Sequence, residues 1–232
     1  MGKVLWGITG AGHWMRESAR IAREVARRHE VTVIMTKNGA SVAKLYGVFN
    51  IFKEITGGYY RELEIDPSPL SHVFGRIMNR KYDVLVVAPA TANTVAKTVY
   101  GIADNLVTTA MAMARKSGVR TLVMPTDAPW VTRTTLPCVI EKCVACKKCP
   151  PQEACPENAI DGDKIRRILL NKCIGCEACV GACPYNAISC FKEVPITLHW
   201  LDMENAERLK KLGFEVVRNP EDLRKTLEVI LD

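Results

Sequence analysis

The chain opens with an apolar run, Lys3 to Thr9, closed by glycines, and then changes period. From about Trp14 to Arg28 the residues Met15, Ile21, Ala22 and Val25 recur at helical spacing with arginines opposite, which predicts an amphipathic helix. Glu30 to Thr36 reads as a second strand. A less regular stretch follows, then a short helix around Leu70 to Asn79 and a strand over Tyr82 to Pro89, where Val84 to Ala90 is apolar throughout and strand-sized. Helices near Thr94 to Val99 and Asn105 to Lys116 lead to a strand over Val119 to Pro125. Strands alternating with helices imply a mostly parallel sheet covered on both faces.

The same grammar resumes near the end. Asp202 to Leu212 is helical and stopped by Gly213, Phe214 to Val217 is a strand, and Asn219-Pro220-Glu221-Asp222 starts a last helix. These elements cannot bury their apolar faces alone, so they belong to the first sheet and the segment between is an insertion. The expected fold is a Rossmann-like α/β domain with a small α+β domain inserted, divided as 1–135, 136–192 and 193–232.

The insertion is set apart by its chemistry. All ten cysteines fall within the 53 residues from Cys138 to Cys190. A secreted disulfide scaffold would be shorter and would need an export signal, so metal ligation is the better reading. Cys173-x2-Cys176-x2-Cys179-x3-Cys183-Pro184 has the bacterial ferredoxin spacing for a [4Fe–4S] cluster, in which the fourth cysteine serves the other cluster. Cys143-x2-Cys146-x2-Cys149-x5-Cys155-Pro156 repeats it, and Pro156-Glu157-Asn158-Ala159-Ile160 repeats as Pro184-Tyr185-Asn186-Ala187-Ile188, the mark of an internal duplication. The expected ligand sets are therefore crossed: Cys143, Cys146, Cys149 and Cys183 for one cluster, Cys173, Cys176, Cys179 and Cys155 for the other. Two zinc sites would use CxxC pairs but leave the triple runs and the Cys-Pro ends unexplained. Cys138 and Cys190 are expected to be small buried apolar side chains outside both sets.

Length and composition narrow the partners. A chain of 232 residues holds one substantial core and a small module, and 48% apolar with 25% charged residues excludes disorder as its main state. No run approaches a membrane span, and the start reads as a strand and not as a signal peptide, so a cytoplasmic location is expected. The net charge of +7 invites a polyanion, but the basic residues are scattered. Two thiolate-ligated clusters, at roughly −2 each, would cancel much of it. Nucleic acid is disfavoured.

The turn Gly7-Ile8-Thr9-Gly10-Ala11-Gly12 opens onto a helix N-terminus, as a phosphate cradle does. A nicotinamide dinucleotide is opposed by Met15 at the third glycine position and by Thr36-Lys37 where a ribose-binding acid belongs. The second informative stretch is Pro89-Ala90-Thr91-Ala92-Asn93-Thr94, followed by Ala103-Asp104-Asn105. It lies at the carboxyl end of a parallel strand, where open α/β sheets bind ligands, and its small residues let backbone approach a flat ring. Asp104 and Asn105 also suit plain helix capping.

The Pro-Ala-Thr-Ala-Asn-Thr and Gly-Ile-Ala-Asp-Asn-Leu motifs resemble the signature of the homo-oligomeric flavoproteins that include flavin-dependent cysteine decarboxylases. Within that family the inserted two-cluster ferredoxin resembles the archaeal dihydromethanopterin-reducing flavoproteins, over nearly the whole chain. The resemblance implies FMN held by Thr9, Gly10, Ala11, Thr36, Pro89, Ala90, Thr91, Asn93, Thr94, Ala103, Asp104 and Asn105. It implies closed assemblies of trimers or larger, and His72 near the position of the decarboxylases' active-site histidine. The decarboxylases' carboxylate clamp is missing: Met124-Pro125-Thr126-Asp127-Ala128-Pro129-Trp130 stands in its place.

The expected activity is that of an iron–sulfur flavoprotein oxidoreductase. Electrons pass from an external one-electron donor such as a ferredoxin, through two [4Fe–4S] clusters, to FMN and a dihydropterin; a flavin joins one-electron to two-electron chemistry. His72, Asp104 and Tyr59 are candidate proton donors, and Trp130 could stack on a pterin. An electron carrier without a small-molecule substrate is the alternative from another class.

Overall fold

The computed structural model describes residues 1–67 and 71–232. Its centre is a six-stranded, all-parallel sheet of β1 (Lys3–Ile8), β2 (Glu30–Met35), β3 (Leu63–Ile65), β4 (Val84–Ala90), β5 (Arg120–Pro125) and β12 (Glu215–Val216). The order is β12-β5-β4-β1-β2-β3. Strand β12 joins beside β5, which places the last forty residues back on the sheet that the first half builds.

Alternation along the strands divides the core. Val4, Trp6 and Ile8 of β1 pack on one face beneath α1 (Met15–Val25) and α10 (Pro220–Leu231). Leu5 of β1, with Leu85 and Val87 of β4, faces α4 (His72–Met78), α6 (Leu106–Ser117) and α9 (Trp200–Lys211). Because both faces are covered, β4 is buried at every position, as its continuous apolar run predicts. Between β4 and α6 stands α5 (Ala92–Val99), against which α9 packs. No helix among the described residues is long and apolar enough to cross a membrane.

The stretch read as irregular after β2 holds α2 (Lys37–Leu45), α3 (Phe49–Glu54) and β3. Asn38-Gly39 at the start of α2 masks its helical pattern, but Gly39 is there because it lies against the Ile8 carbonyl. The Leu70 start expected for α4 lies outside the described residues; its cap is Ser71, which accepts from the Val73 amide. Trp14 is not part of α1: it stands left-handed at φ 61° ahead of the first turn.

The insertion leaves and rejoins through a two-rung neck. Strand β6 (Arg133–Thr135) pairs with β11 (Glu193–Pro195), and β7 (Val139–Ile140) pairs with β10 (Ile188–Ser189), both antiparallel. Inside lie α7 (Pro150–Glu153), the hairpin of β8 (Ile160–Asp161) and β9 (Arg167–Ile168), and α8 (Ala178–Ala182), closed on Ile160, Cys179 and Ile188. The neck corrects one expectation. Cys138 and Cys190 are not separate apolar side chains: they form a disulfide, because the two ladders bring the outgoing and returning chain side by side between them. Linear spacing cannot show that pairing.

Candidate functional site

The strand order reverses between β1 and β4, so a crevice opens at their carboxyl ends, the usual ligand position in an open α/β sheet. Thr9 holds that crevice together. Its hydroxyl donates to the Pro89 carbonyl at 2.7 Å and accepts from the Thr91 amide at 3.0 Å. The Thr9 side chain is thus spent internally, and its contribution to a ligand is the position of the turn that follows.

Three helices point their N-termini at this edge. Thr36 caps α2 by accepting from the Gly39 amide, which leaves its own hydroxyl proton to donate. Thr91 caps α5 through the Thr94 amide, and the Thr91 and Thr94 hydroxyls lie 3.0 Å apart. Asn105 caps α6 in a reciprocal box with Thr108. The amides of Gly10 and Ala11 donate to no other described residue. Free amides, helix N-termini and a spare hydroxyl proton form a donor set that fits a phosphate ester. Pro89 and Ala90 are buried beneath, whereas Asn93, Ala103 and Asp104 are exposed, so the outer wall lies open in the single chain. The residues expected to hold FMN thereby lie along one edge, and the donors among them fit its phosphate.

The three candidate proton donors divide between two places, Asp104 in one and His72 with Tyr59 in the other. Asp104 takes the Lys97 ammonium at 2.5 Å, and that bond holds its carboxyl below the usual range. His72 lines a separate hollow with Tyr59, Tyr60, Glu62 and Arg76, where Glu62 receives both arms of the Arg76 guanidinium. None of the expected flavin contacts lines that hollow.

Three polar groups at the crevice escaped sequence reasoning. His13 is buried in the glycine turn, with Nδ1 3.1 Å from the Thr135 hydroxyl, and burial pushes its pKa down. Asp127 accepts from the Ala92 amide and the Thr126 hydroxyl, which ties the loop after β5 to the start of α5. Asp66 accepts from the Leu106 amide, and burial raises its pKa. For His13 its place inside Gly10-Ala11-Gly12-His13 was the available signal, and for Asp127 its place in the Met124–Trp130 stretch; Asp66 had none.

The cysteines form two hollows. Cys143, Cys146, Cys149 and Cys183 line one, with Val144, Arg166 and Tyr185. Cys155, Cys173, Cys176 and Cys179 line the other, beside Cys138 of the disulfide. Four thiols spread around a hollow fit a cube of iron and sulfide better than one tetrahedral metal. Backbone amides of Arg166 and Ala145 hold Cys143 below the usual thiol range, while burial raises Cys173 and Cys179.

The hollows sit differently against the sheet domain. The duplication gives equivalent left-handed residues, Ala145 at φ 53° and Gly175 at φ 62°. Ala145 is exposed, but a Cβ on Gly175 would come within 2.5 Å of the Leu45 carbonyl at the end of α2. Only glycine permits that backbone contact. Arg16 of α1 reinforces it with an ion pair to Glu177 at 3.0 Å and a stacking contact on Phe191.

Comparison with known proteins agrees with this architecture. Residues 2–137 match the flavoprotein family and residues 167–189 a 4Fe-4S binding domain. A dihydromethanopterin reductase (acceptor) from Methanosarcina mazei is 37% identical over 230 residues, covering 94% of this chain and 96% of the relative. One of the same description from Methanocaldococcus jannaschii is 42% identical over 225 residues, covering 93% and 91%. Among solved structures, Burkholderia xenovorans DmrB in complex with FMN, described as a cubic protein cage for redox transfer, aligns with a TM-score of 0.65 at 22% identity. That alignment covers 99% of this chain and 95% of the other, and it supports the fold.

Proposed function

The chain belongs to the flavoprotein family, and from that premise we propose that this iron–sulfur flavoprotein reductase takes single electrons from an outside donor and reduces dihydromethanopterin, or a related dihydropterin, to the tetrahydro form. The observation that carries the reading is the juxtaposition in one chain of two cysteine quartets, in a module spanning 136–192, with a phosphate-fitting crevice at the β1–β4 edge. FMN, when bound, supplies the exchange between one-electron and two-electron chemistry that a C=N bond requires.

The chain's own residues have separable tasks. The Gly10 and Ala11 amides and Thr36 would bind the phosphate, and the Pro89–Thr94 and Ala103–Asn105 segments would flank the ring. Cys143, Cys146, Cys149 and Cys183 would hold one [4Fe–4S] cluster, and Cys155, Cys173, Cys176 and Cys179 the other. Asp104, kept ionised by Lys97, suits orientation of a proton-bearing ammonium better than service as an acid. His72 would reach a crevice only across a boundary between copies, consistent with a closed homo-oligomer of trimers or larger that completes the open outer wall.

The test is anaerobic. Protein with intact clusters is reduced with dithionite and mixed with dihydromethanopterin, and flavin reoxidation is followed together with tetrahydropterin formation. Stoichiometric reoxidation with product is expected. Reduced protein that ignores the pterin but discharges into a ferredoxin would make the chain a carrier and overturn the substrate assignment.

A further inference from the structure

The duplicated cluster loops are alike in sequence and unlike in surroundings. The loop from Cys173 to Cys179 is pressed on the sheet domain at Gly175, although its Cys176 is exposed, and its flank is mixed in charge: Glu177 is taken up by Arg16, and Lys172 and Glu157 stand exposed. The loop from Cys143 to Cys149 faces outward. Lys142 just before it and Lys147 and Lys148 on it are exposed, and Lys164 is exposed on the turn that carries Arg166 against Cys143. Among the described residues none of these four lysines has an ion-pair partner. The nearby Glu141 is occupied by Lys192, and Glu153 and Asp163 are exposed acids in the same region. At the mouth of the hollow, Val144 and Tyr185 present apolar surface at 54% and 59% exposure.

An exposed apolar centre with a cationic rim is a docking surface for a protein of opposite charge, since rim charges steer encounter while apolar contact holds the pair. Resting on the reading above, we propose that the Cys143/Cys146/Cys149/Cys183 face is where an acidic one-electron carrier protein docks. The Cys155/Cys173/Cys176/Cys179 site then serves as the relay to the sheet domain. Each encounter oxidises the carrier by one electron and reduces the chain by one, with no bond made or broken. Two encounters supply the pair that a C=N bond takes up, together with two protons from solvent.

The test uses the holoprotein and, as probe, a purified two-cluster ferredoxin with a strongly acidic surface. Association is measured at low ionic strength with the ferredoxin oxidised, so that binding is read without turnover. The K147E/K148E variant is expected to associate about tenfold more slowly, with a weaker salt dependence than the parent. R27E/R28E, which makes the same charge change at the opposite end of the sheet, is expected to behave as the parent. Equal effects of the two variants would reduce the phenomenon to net charge and overturn the site. So would no effect of K147E/K148E, or protection of Lys147 and Lys148 from acylation before ferredoxin is added. If dithionite-reduced protein reduces the pterin while these variants bind alike, the surface fails and the proposed function stands. If ferredoxin docks here but the pterin is never reduced, the reverse holds.

Discussion

The hydroxyl of Tyr46 donates to the carbonyl of Thr135 across 2.6 Å, joining the end of α2 to the neck of the insertion. The same ring lies against Gly12, where any Cβ would overlap it, and against Phe191 at 5.3 Å between centroids. One buried side chain thus touches the glycine turn, the outgoing neck strand and the residue after Cys190. Burial pushes its pKa up to about 12, so it stays a neutral donor throughout the working range.

Tyr46→Phe keeps the ring and removes that bond, leaving the Thr135 carbonyl without its donor. A loss of about 1–2 kcal/mol in unfolding free energy is expected, with the fold unchanged. Denaturant titration followed by circular dichroism measures it, and an unchanged midpoint would mean that water replaces the hydroxyl at no cost.

The crossed quartets make a pairing prediction. Cys183→Ser should remove the same cluster spectrum as Cys143→Ser, although 183 follows the second run, and Cys155→Ser should match Cys176→Ser. Low-temperature paramagnetic resonance of the reduced proteins tests this. The parent should contain about eight irons per chain for two cubanes, and sequential pairing would instead group Cys183 with Cys173.

The disulfide predicts a thiol count. After denaturation and cluster removal under non-reducing conditions, eight cysteines should react with a thiol reagent and ten after reduction. The bond spans 52 residues, and closing a loop of that length is worth up to about 4 kcal/mol in the chain-entropy picture. Cys138→Ala/Cys190→Ala should therefore raise proteolytic cutting in the neck while leaving the β1–β5 sheet protected.

His13 predicts a pH slope. Its folded pKa lies below the ordinary 6.5, so below that value the unfolded chain binds more protons than the folded one. Stability should fall as pH drops through 6.5 toward the folded pKa, by up to about 1.4 kcal/mol per pH unit from this group. His13→Gln should flatten that part of the profile. A slope identical in both proteins between pH 7.5 and 5.5 would assign the effect elsewhere.

Where local pattern was strong it was sufficient. The continuous apolar run of β4 and the Asn219-Pro220 start of α10 each carry their meaning within a few residues, because strand burial and helix capping are local constraints. Helix α2 was missed because Gly39, which looks like a helix breaker, answers to the Ile8 carbonyl across the sheet edge. His72 illustrates the converse: its place in the chain is clear, but the folded single chain sets it in a hollow away from the crevice.

What the sequence by itself determined is the composition of the parts: an interrupted parallel α/β sheet, a duplicated cysteine module, and a small-residue edge suited to a flat ligand. Only the tertiary structure decided how the parts face one another. Ala145 and Gly175 occupy the same place in a repeated loop, and nothing in either loop says which one meets the sheet domain. Packing decides it, because the Leu45–Gly47 backbone lies where a Cβ at Gly175 would be. The Cys138–Cys190 pair and the burial of His13 have the same origin. They depend on where distant segments lie, and close packing against a neighbour leaves no signature in the spacing of a segment's own residues.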